Sequence, residues 1–243
     1  MGIRLRVLIA AGFDGTGAAG LLRDLATACD HGVATHAVIT AVTAQSDREM
    51  RDIQQLPARS LAQQTAGIGP LAAIKLGMLK TAEIVSVLAE TLPNAPLVLD
   101  PVLASSSGAT LLDPEGIKAM RARLLPRTTL LTPNLPEAAQ LTGRPVARSP
   151  EERAEQAAIL LQTGTLAVLL KGGHDEGPEV TDWLFRRETP PRAFSGPRAP
   201  RGRRGTGCTL ATAIACQLAQ GKDLETAVGD AVRYTRAWIG SGG

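Results

Sequence analysis

The residues with the clearest chemical meaning lie in a short run near the carboxyl end of the chain. The run consists of Arg203, Arg204, Gly205, Thr206, Gly207 and Cys208, and an alanine-rich stretch follows it. Two glycines so close together are typical of a backbone that another group approaches. If the alanine-rich stretch is a helix, its free N–H groups and the positive end of its dipole point at one place. The run therefore predicts a cradle for a phosphoryl group or an oxyanion.

Cys208 falls in the first turn of this predicted helix. A helix dipole lowers the pKa of a thiol in that position, so we expect Cys208 to act as a base or a nucleophile. We predict Cys29 and Cys216 to be small core residues instead. The three cysteines lack metal-ligand spacing, so neither a disulfide framework nor a zinc site is indicated. This cysteine usage favours a reducing, cytoplasmic location.

Polar residues also end several short apolar runs. They are Asp100, Asn134, Glu137 and Lys171. Because open parallel sheets bind their ligands where the strands end, these side chains are expected to converge on one edge. Oxygen ligands suit Mg²⁺ and an ammonium group suits a phosphate, whereas the sequence contains no Walker A motif. Together with the glycine cradle, the four residues favour phosphoryl transfer.

A second glycine-rich segment, near the amino end, suggests a different function. Gly15, Gly17 and Gly20 have the GxGxxG spacing of a dinucleotide-binding loop between a strand and a helix. Asp47, a few residues beyond the next predicted strand, is the candidate ribose partner. Asp14 argues against this interpretation, because it would place a negative charge beside the pyrophosphate. A dinucleotide-dependent oxidoreductase stays an alternative, as does a glycine loop that serves strand–helix packing only.

These residues need a scaffold, and the hydrophobic pattern predicts one. Short apolar runs alternate with stretches of helical period, which indicates an α/β fold with a parallel sheet covered on both faces. Capping residues predict helices near 114–124 and 150–163, and Gly143 and Gly164 are predicted helix stops. The predicted strands cover residues 6–10, 35–42, 73–77, 97–99, 129–132 and 166–170.

The segment before the glycine cradle is unusually basic. Residues 181–185 are predicted to form one strand of a hairpin, and residues 189–205, rich in Pro, Arg and Gly, a mobile loop. The loop carries a basic flap that would clamp a phosphate through charge-assisted hydrogen bonds; a solvated basic loop is the alternative. The flap consists of Arg198, Arg201, Arg203 and Arg204.

Composition limits the kinds of partner. The 243 residues, 44% of them hydrophobic, are sufficient for one α/β domain that spans 1–243. A net charge of +3 and an aromatic content of 2% argue against nucleic acid as a partner. The first apolar run is too short to cross a membrane. The expected partners are therefore small molecules.

With these residues assembled, the chain resembles the ribokinase-like superfamily and, within it, the hydroxymethylpyrimidine/phosphomethylpyrimidine kinases of thiamine biosynthesis. The resemblance is carried in order by AGFDGTGAAG, VITAVTAQS, KLGML, VLDPVLASSSGATLL, TPNLPEAA, LLKGGH, DWLF and GTGCTLATAIA. It implies a three-layer sandwich in which helices flank both faces of a central, mostly parallel sheet, with little or no separate lid domain. It also implies a homodimer.

The resemblance implies a reaction and a catalytic set. The reaction is transfer of the γ-phosphoryl group of ATP to 4-amino-5-hydroxymethyl-2-methylpyrimidine, with its monophosphate as a second candidate substrate. Cys208 matches the position at which the superfamily has a catalytic aspartate. Gly205, Thr206 and Gly207 match the anion hole, and Lys171 matches the lysine that binds nucleotide phosphates.

The same matching implies the binding residues. Gln45 would hydrogen-bond the aminopyrimidine, and Gly12, Val42, Met78 and Val102 would line the ring pocket, in agreement with the amide and apolar walls that a neutral heteroaromatic ring requires. The nucleotide would contact Asn134, Lys171 and Thr206. The cofactor would be Mg²⁺, held through water by Asp100 and Glu137.

The sequence departs from the family pattern in places that bear on substrate choice. Ala18 adds a methyl group to the first glycine loop, Ser46-Asp47 replaces the usual Asn-Thr, and Arg204 replaces a histidine. These changes leave phosphorylation of the alcohol better supported than that of the monophosphate. A vitamin B6 kinase of the same superfamily and a non-catalytic ligand-binding protein are further alternatives.

Overall fold

The central sheet consists of short strands, most of them apolar and buried. The computed structural model describes residues 5–46, 49–105, 108–173 and 177–241, so Asp47 lies outside the described residues. Within them the strands form one nine-stranded sheet in the order β3-β2-β1-β4-β5-β6-β7-β8-β9. The strands are β1 (Arg6–Asp14), β2 (Ala34–Gln45), β3 (Met50–Gln55), β4 (Ala73–Leu76), β5 (Leu97–Leu99), β6 (Leu130–Leu131), β7 (Ala167–Leu170), β8 (Glu179–Arg186) and β9 (Thr189–Pro197).

Strand direction sets where the site can form. Six neighbouring strands of the sheet are mutually parallel, so their carboxyl ends share one edge; in sheet order they are β2, β1, β4, β5, β6 and β7. Strand β3 pairs antiparallel with β2, and β8 and β9 extend the other side as an antiparallel hairpin. The hairpin prediction for 181–185 is thus confirmed.

The helices cover both faces of the sheet. One layer contains α1 (Gly20–Asp30), α7 (Thr206–Ala219) and α8 (Leu224–Gly240). The other contains α2 (Ala58–Thr65), α3 (Ala82–Thr91), α4 (Pro114–Ala119), α5 (Leu135–Thr142) and α6 (Pro150–Gln162). After α4 the chain continues through a π-helical turn (Met120–Leu124) and a 3₁₀ turn (Leu125–Arg127). The predicted three-layer arrangement is confirmed.

Strand alternation divides the apolar residues between two cores. In β1, Val7 and Ile9 pack beneath α1, α7 and α8, whereas Leu8 and Ala10 pack against the opposite helix layer. This is the two-sided burial expected of a parallel strand. Strand β4 follows the same rule with one exception: Lys75 lies fully buried on the α1–α7 side.

Local capping fixes several helix ends as predicted. Ser149 and Glu152 form a capping box at the start of α6, and Gly143 ends α5 with a left-handed φ of 69°. Gly164 also has a positive φ, of 104°. Among the described residues, no helix is both long enough and apolar enough to cross a membrane.

The prediction of a mobile loop over 189–205 was wrong for its first half. Residues 189–197 form β9, and Arg236 on α8 donates hydrogen bonds to the Ser195 and Phe194 carbonyls at 2.7 and 2.8 Å. The prolines in this segment favoured a loop interpretation. Proline is tolerated in an edge strand, because the outward N–H groups there have no ladder partner.

Candidate active site

A cavity of about 1320 Å³ opens where the parallel strands end. Strand ends supply its floor, and the N-terminus of α7 and the segment 197–205 supply one wall. The cavity brings together twelve of the thirteen predicted site residues: Gly12, Gln45, Met78, Asp100, Val102, Asn134, Glu137, Lys171, Gly205, Thr206, Gly207 and Cys208.

The N-terminus of α7 has the form of an anion cradle. Gly205, the N-cap, is left-handed with φ of 79°, and a Cβ there would collide with the Ala18 carbonyl. Helical hydrogen bonding begins with the Thr209 N–H, which donates to the Gly205 carbonyl at 2.8 Å. The three N–H groups of residues 206–208 precede that bond, and they add to the positive end of the helix dipole. The Thr206 hydroxyl donates to the Arg203 carbonyl at 2.6 Å, which fixes the entry to the helix.

Cys208 lies half-buried in the first turn of α7, and it lines the cavity together with Gly20 of α1. Burial raises the pKa of the Cys208 thiol to about 11, although the Lys75 ammonium acts in the opposite direction. The prediction of a lowered pKa was therefore wrong, because desolvation of the thiolate outweighs the favourable charges. Cys216 is buried as predicted, but Cys29 is exposed on α1 and is not a core residue.

Opposite the cradle, a lysine lies between two carboxylates. Lys171 Nζ is 2.8 Å from Asp100 Oδ1 and 3.8 Å from Glu137 Oε2. Burial disfavours the ammonium, but the two carboxylates outweigh it and keep the pKa of Lys171 above its ordinary value. Burial also raises the pKa of Glu137 to about 7, against the lowering effect of Lys171. A Cβ at Gly207 would lie 3.3 Å from Lys171 Nζ and 3.4 Å from Asp100 Oδ2, so the cradle directly faces this group.

Asn134 holds the acidic group in place. It is the N-cap of α5, and its Oδ1 accepts from the Glu137 N–H at 2.8 Å. In return the Glu137 carboxylate accepts from the Asn134 N–H at 2.8 Å. This capping box is a sequence-local device, and here it positions a carboxylate at the cavity wall.

The other end of the cavity is apolar. Gly12 lies at an irregularity in the β1–β2 register, and a Cβ there would come within 2.8 Å of Met78 Sδ. Met78 belongs to a small buried cluster with Ala41 and Leu111, against which Val102 packs. This end therefore has the shape of a slot for a flat ring.

Gln45 is the polar group at this end. Its amide N–H donates to the Thr43 hydroxyl at 3.0 Å, which fixes the direction of the side chain. Thr43 in turn donates to the Phe13 carbonyl at 3.0 Å. The amide thus lies at the cavity wall in a defined orientation.

Val42 is the predicted pocket residue that the structure does not place in the cavity. Its side chain is 44% exposed and lies on the opposite side of β2 from its buried neighbours, Ala41 and Thr43. A strand presents alternate residues to opposite faces, so Val42 and Thr43 cannot both line the slot. Thr43, Met50 and Leu111 line the cavity and were missed by sequence reasoning.

The first glycine loop binds its own carboxylate. Asp14 is 2% exposed and accepts from the N–H groups of Thr16 and Ala19 at 3.0 and 3.2 Å. Arg204 completes the arrangement with an ion pair to Asp14 at 3.0 Å. The loop donors that a pyrophosphate would need already bind Asp14, so the dinucleotide-binding interpretation of Gly15, Gly17 and Gly20 was wrong.

Three of the four arginines of the basic flap, Arg198, Arg203 and Arg204, are tied to the protein surface. Arg203 lies 3.8 Å from the ring centre of Trp238 and donates to its carbonyl at 2.6 Å. Arg198 donates to the Gly173 and Gly177 carbonyls at 3.0 and 2.8 Å. Together with the Arg204 pair, these contacts hold the segment before α7 against the rest of the site.

Sequence reasoning also missed a buried ion pair next to the cradle. Lys75 Nζ is 2.7 Å from Asp24 Oδ2, and both side chains are fully buried. Thr212 donates to the other Asp24 oxygen at 2.8 Å. A single lysine inside a predicted apolar strand was the available signal.

The comparisons with known proteins agree on the family. The phosphomethylpyrimidine kinase family model matches residues 14–242. A hydroxymethylpyrimidine/phosphomethylpyrimidine kinase of Rhizobium meliloti is 40% identical over 94% of this chain and 88% of its own.

Two solved structures show the same fold. A phosphomethylpyrimidine kinase of Clostridium difficile has a TM-score of 0.83 at 32% identity, covering 97% of this chain and 99% of its own. A Staphylococcus aureus pyridoxal kinase in complex with AMP-PCP has a TM-score of 0.90 at 31% identity, covering 98% of this chain and 89% of its own.

Proposed function

The chain belongs to the phosphomethylpyrimidine kinase family, and on that premise we propose that it phosphorylates 4-amino-5-hydroxymethyl-2-methylpyrimidine with ATP. The monophosphate of this pyrimidine is a second proposed substrate, and thiamine biosynthesis is the proposed pathway. The observation that carries the proposal is the position of Cys208. It lies in the anion cradle, whose Gly207 faces Lys171 and Asp100 in the cavity that also contains the apolar slot.

The slot accounts for binding of the pyrimidine. A flat, neutral ring would lie between Gly12, Met78 and Val102, where a side chain at position 12 would displace Met78. The Gln45 amide would hydrogen-bond the aminopyrimidine edge. A few placed polar groups in an apolar pocket are the usual means of orienting such a ligand.

The cradle accounts for the transfer. As the hydroxymethyl oxygen bonds to the γ-phosphorus, the bond from that phosphorus to the ADP oxygen breaks, and the hydroxyl proton passes to the Cys208 thiolate. The N–H groups of residues 206–208 stabilise the charge on the phosphoryl oxygens, and Lys171 neutralises charge on the phosphates. Because the pKa of Cys208 is about 11 before substrates bind, the thiolate is the minor form at neutral pH.

The acidic residues fit a Mg²⁺ ion. Asp100 and Glu137 offer hard carboxylate oxygens on either side of Lys171. Within the described residues, no group of three or more His, Cys, Asp and Glu side chains could hold a metal ion, in agreement with a cation bound mainly by phosphates and water. Bound Mg²⁺ would neutralise phosphate charge, and Asp100 and Glu137 would hold it through water.

The assembly, the domain organisation and the location are further proposals. We propose a homodimer formed through the β2–β3 side of the sheet, where β3 is an edge strand and Val42 is exposed. We also propose one domain over 1–243 and a cytoplasmic location. Light scattering of the purified protein tests the dimer, and a monomer at micromolar concentration would contradict it.

The direct test of function is ADP release with three acceptors. We expect the hydroxymethylpyrimidine to support the highest kcat/KM, followed by its monophosphate, with pyridoxal lowest. A preference for pyridoxal would favour a vitamin B6 kinase instead. Binding of the pyrimidine with no ADP release from ATP and Mg²⁺ with any of the three acceptors would contradict a kinase of these substrates.

A further inference from the structure

A buried ion pair and a hydrogen bond connect the sheet to the N-terminal turns of α7. Gly20 and Asp24 are one turn apart on α1, and Cys208 and Thr212 are one turn apart on α7, so each pair lies on one helix face. The upper members, Gly20 and Cys208, both line the cavity. The lower members meet where the Thr212 hydroxyl donates to Asp24 at 2.8 Å.

Lys75 on β4 is the partner of Asp24 in this ion pair. Strand β4 turns its neighbours Ile74 and Leu76 to the other core, whereas Lys75 faces α1 and α7 with a side chain that is 0% exposed. Its ammonium is 2.7 Å from Asp24, and a Cβ at Gly77 would lie 2.8 Å from Nζ. The ammonium is therefore confined between Asp24 and Gly77. The hydrogen bond from Thr212 to Asp24 connects this pair to α7, one turn after Cys208.

We propose that Lys75 is a positioning residue for the phosphoryl transfer. Its positive charge, held in place by Asp24 and Thr212, stabilises the thiolate of Cys208 electrostatically. This inference rests on the proposed kinase function. An apolar residue in β4 would pack the core as well, and replacement of buried ion pairs by apolar groups is often neutral or stabilising. The desolvation cost of burying this pair is explained if the charge of Lys75 acts on the active site.

The charged groups around Cys208 shift the pKa of its thiol in opposite directions. Lys75 on β4 lowers the pKa of the thiol, whereas Asp24 on α1 and Asp100 after β5 raise it. Lys171, after β7, also interacts with Cys208. Asp24 holds the pKa of Lys75 above its ordinary value despite burial, so Lys75 keeps its charge.

The test uses two variants that break the same ion pair. Lys75→Gln removes the cation and Asp24→Asn removes the anion, while the asparagine keeps an oxygen for Thr212. The rate of Cys208 alkylation by iodoacetamide is measured against pH, in a Cys29→Ser background that removes the exposed thiol. Each unit of pKa changes the thiolate fraction about tenfold.

We expect the two variants to shift alkylation in opposite directions. At pH 8, Lys75→Gln slows it about tenfold. Asp24→Asn accelerates it, because Cys208 and Asp100 also favour the charged form of Lys75 and keep the ammonium in that variant. The kcat for ADP release follows the same order. Shifts in the same direction, or no shift in either variant, would overturn the proposal and leave the pair a structural element.

A third variant covers failure of either single variant to fold. In Lys75→Gln/Asp24→Asn the two amides can hydrogen-bond each other, and no buried charge is left unpaired. We expect alkylation about threefold slower than in the parent protein at pH 8, since Lys75 has the larger effect of the two on Cys208. An unchanged rate would overturn the proposal. Alkylation needs no substrate, so this result is independent of whether the parent protein releases ADP with the pyrimidine.

Discussion

Two lysine–aspartate pairs on one sheet differ in their access to solvent. Lys75 and Asp24 are 2.7 Å apart with both side chains 0% exposed. Lys171 and Asp100 are 2.8 Å apart with side chains 14% and 3% exposed, and a second carboxylate lies at 3.8 Å. The sealed pair can only keep its charges fixed, whereas the open pair can exchange partners with a ligand. Similar ion-pair geometry thus allows two roles, which substitutions can separate.

The largest effect on stability is expected at the sealed pair. Lys75→Met leaves Asp24 buried without its cation, and breaking a buried pair in this way costs about 3–5 kcal/mol of unfolding free energy. Urea unfolding of this variant and of Lys171→Met makes the comparison. For Lys171→Met we expect a loss of about 1–2 kcal/mol, because Glu137 can take up a proton. Equal losses in the two variants would contradict the distinction between sealed and open pairs.

The open pair should dominate catalysis. Lys171→Met removes a phosphate-neutralising charge, and losses of this kind lower kcat by about 10²–10³-fold. The variant should keep its melting temperature better than Lys75→Met. Lys171→Arg is the matched control, because it keeps the charge and should recover part of kcat. A full kcat in Lys171→Met would refute a role in transfer.

The open pair also predicts a pH-dependent stability. The pKa of Glu137 is raised to about 7 from 4.5, so the folded protein binds a proton that the unfolded chain does not. This stabilisation is present below pH 4.5 and is lost as pH rises through 7, by at most about 3 kcal/mol. Glu137→Gln mimics the protonated form, so it should match the parent protein near pH 4.5 and exceed it near pH 8. Urea unfolding in EDTA measures the difference in unfolding free energy between this variant and the parent protein. A difference that does not change with pH would contradict the raised pKa of Glu137.

The smallest effect is expected at Arg204, whose ion pair with Asp14 contains the most exposed cation of the three pairs. Arg204 is 20% exposed where it contacts Asp14, and Asp14 keeps its N–H partners without it. Arg204→Met should cost about 1 kcal/mol of unfolding free energy, and the loss should shrink in 1 M NaCl because salt screens partly exposed charges. A loss as large as that of Lys75→Met would place Arg204 with the sealed pair.

The layered architecture and most of the site could be predicted from sequence because both depend on local patterns. Apolar runs identified the parallel strands, and polar residues at the strand ends marked the edge where the cavity opens. The capping box of Ser149 and Glu152 is a four-residue signal, and the structure contains it. Short stretches of sequence were sufficient to predict these features.

The errors arose where the result depends on the whole structure. The pKa of Cys208 depends on how much of the thiol is desolvated, and no local motif specifies that. Val42 was misplaced because the register of β2 decides which residue faces the slot. Strand β9 was taken for a loop because its prolines are tolerated only at a sheet edge, and sequence does not show which strand is the edge.

The assignment of Cys208 to proton transfer is the central claim, and Cys208→Ala tests it most directly. Thermal shifts measured with ATP, Mg²⁺ and the pyrimidine establish whether the variant binds both substrates. ADP release is then measured with both substrates saturating. We predict unchanged binding and a kcat about 10²–10⁴-fold lower, the range for loss of a general base. Unchanged kcat in a variant that binds normally would contradict the claim and leave Cys208 as a packing residue.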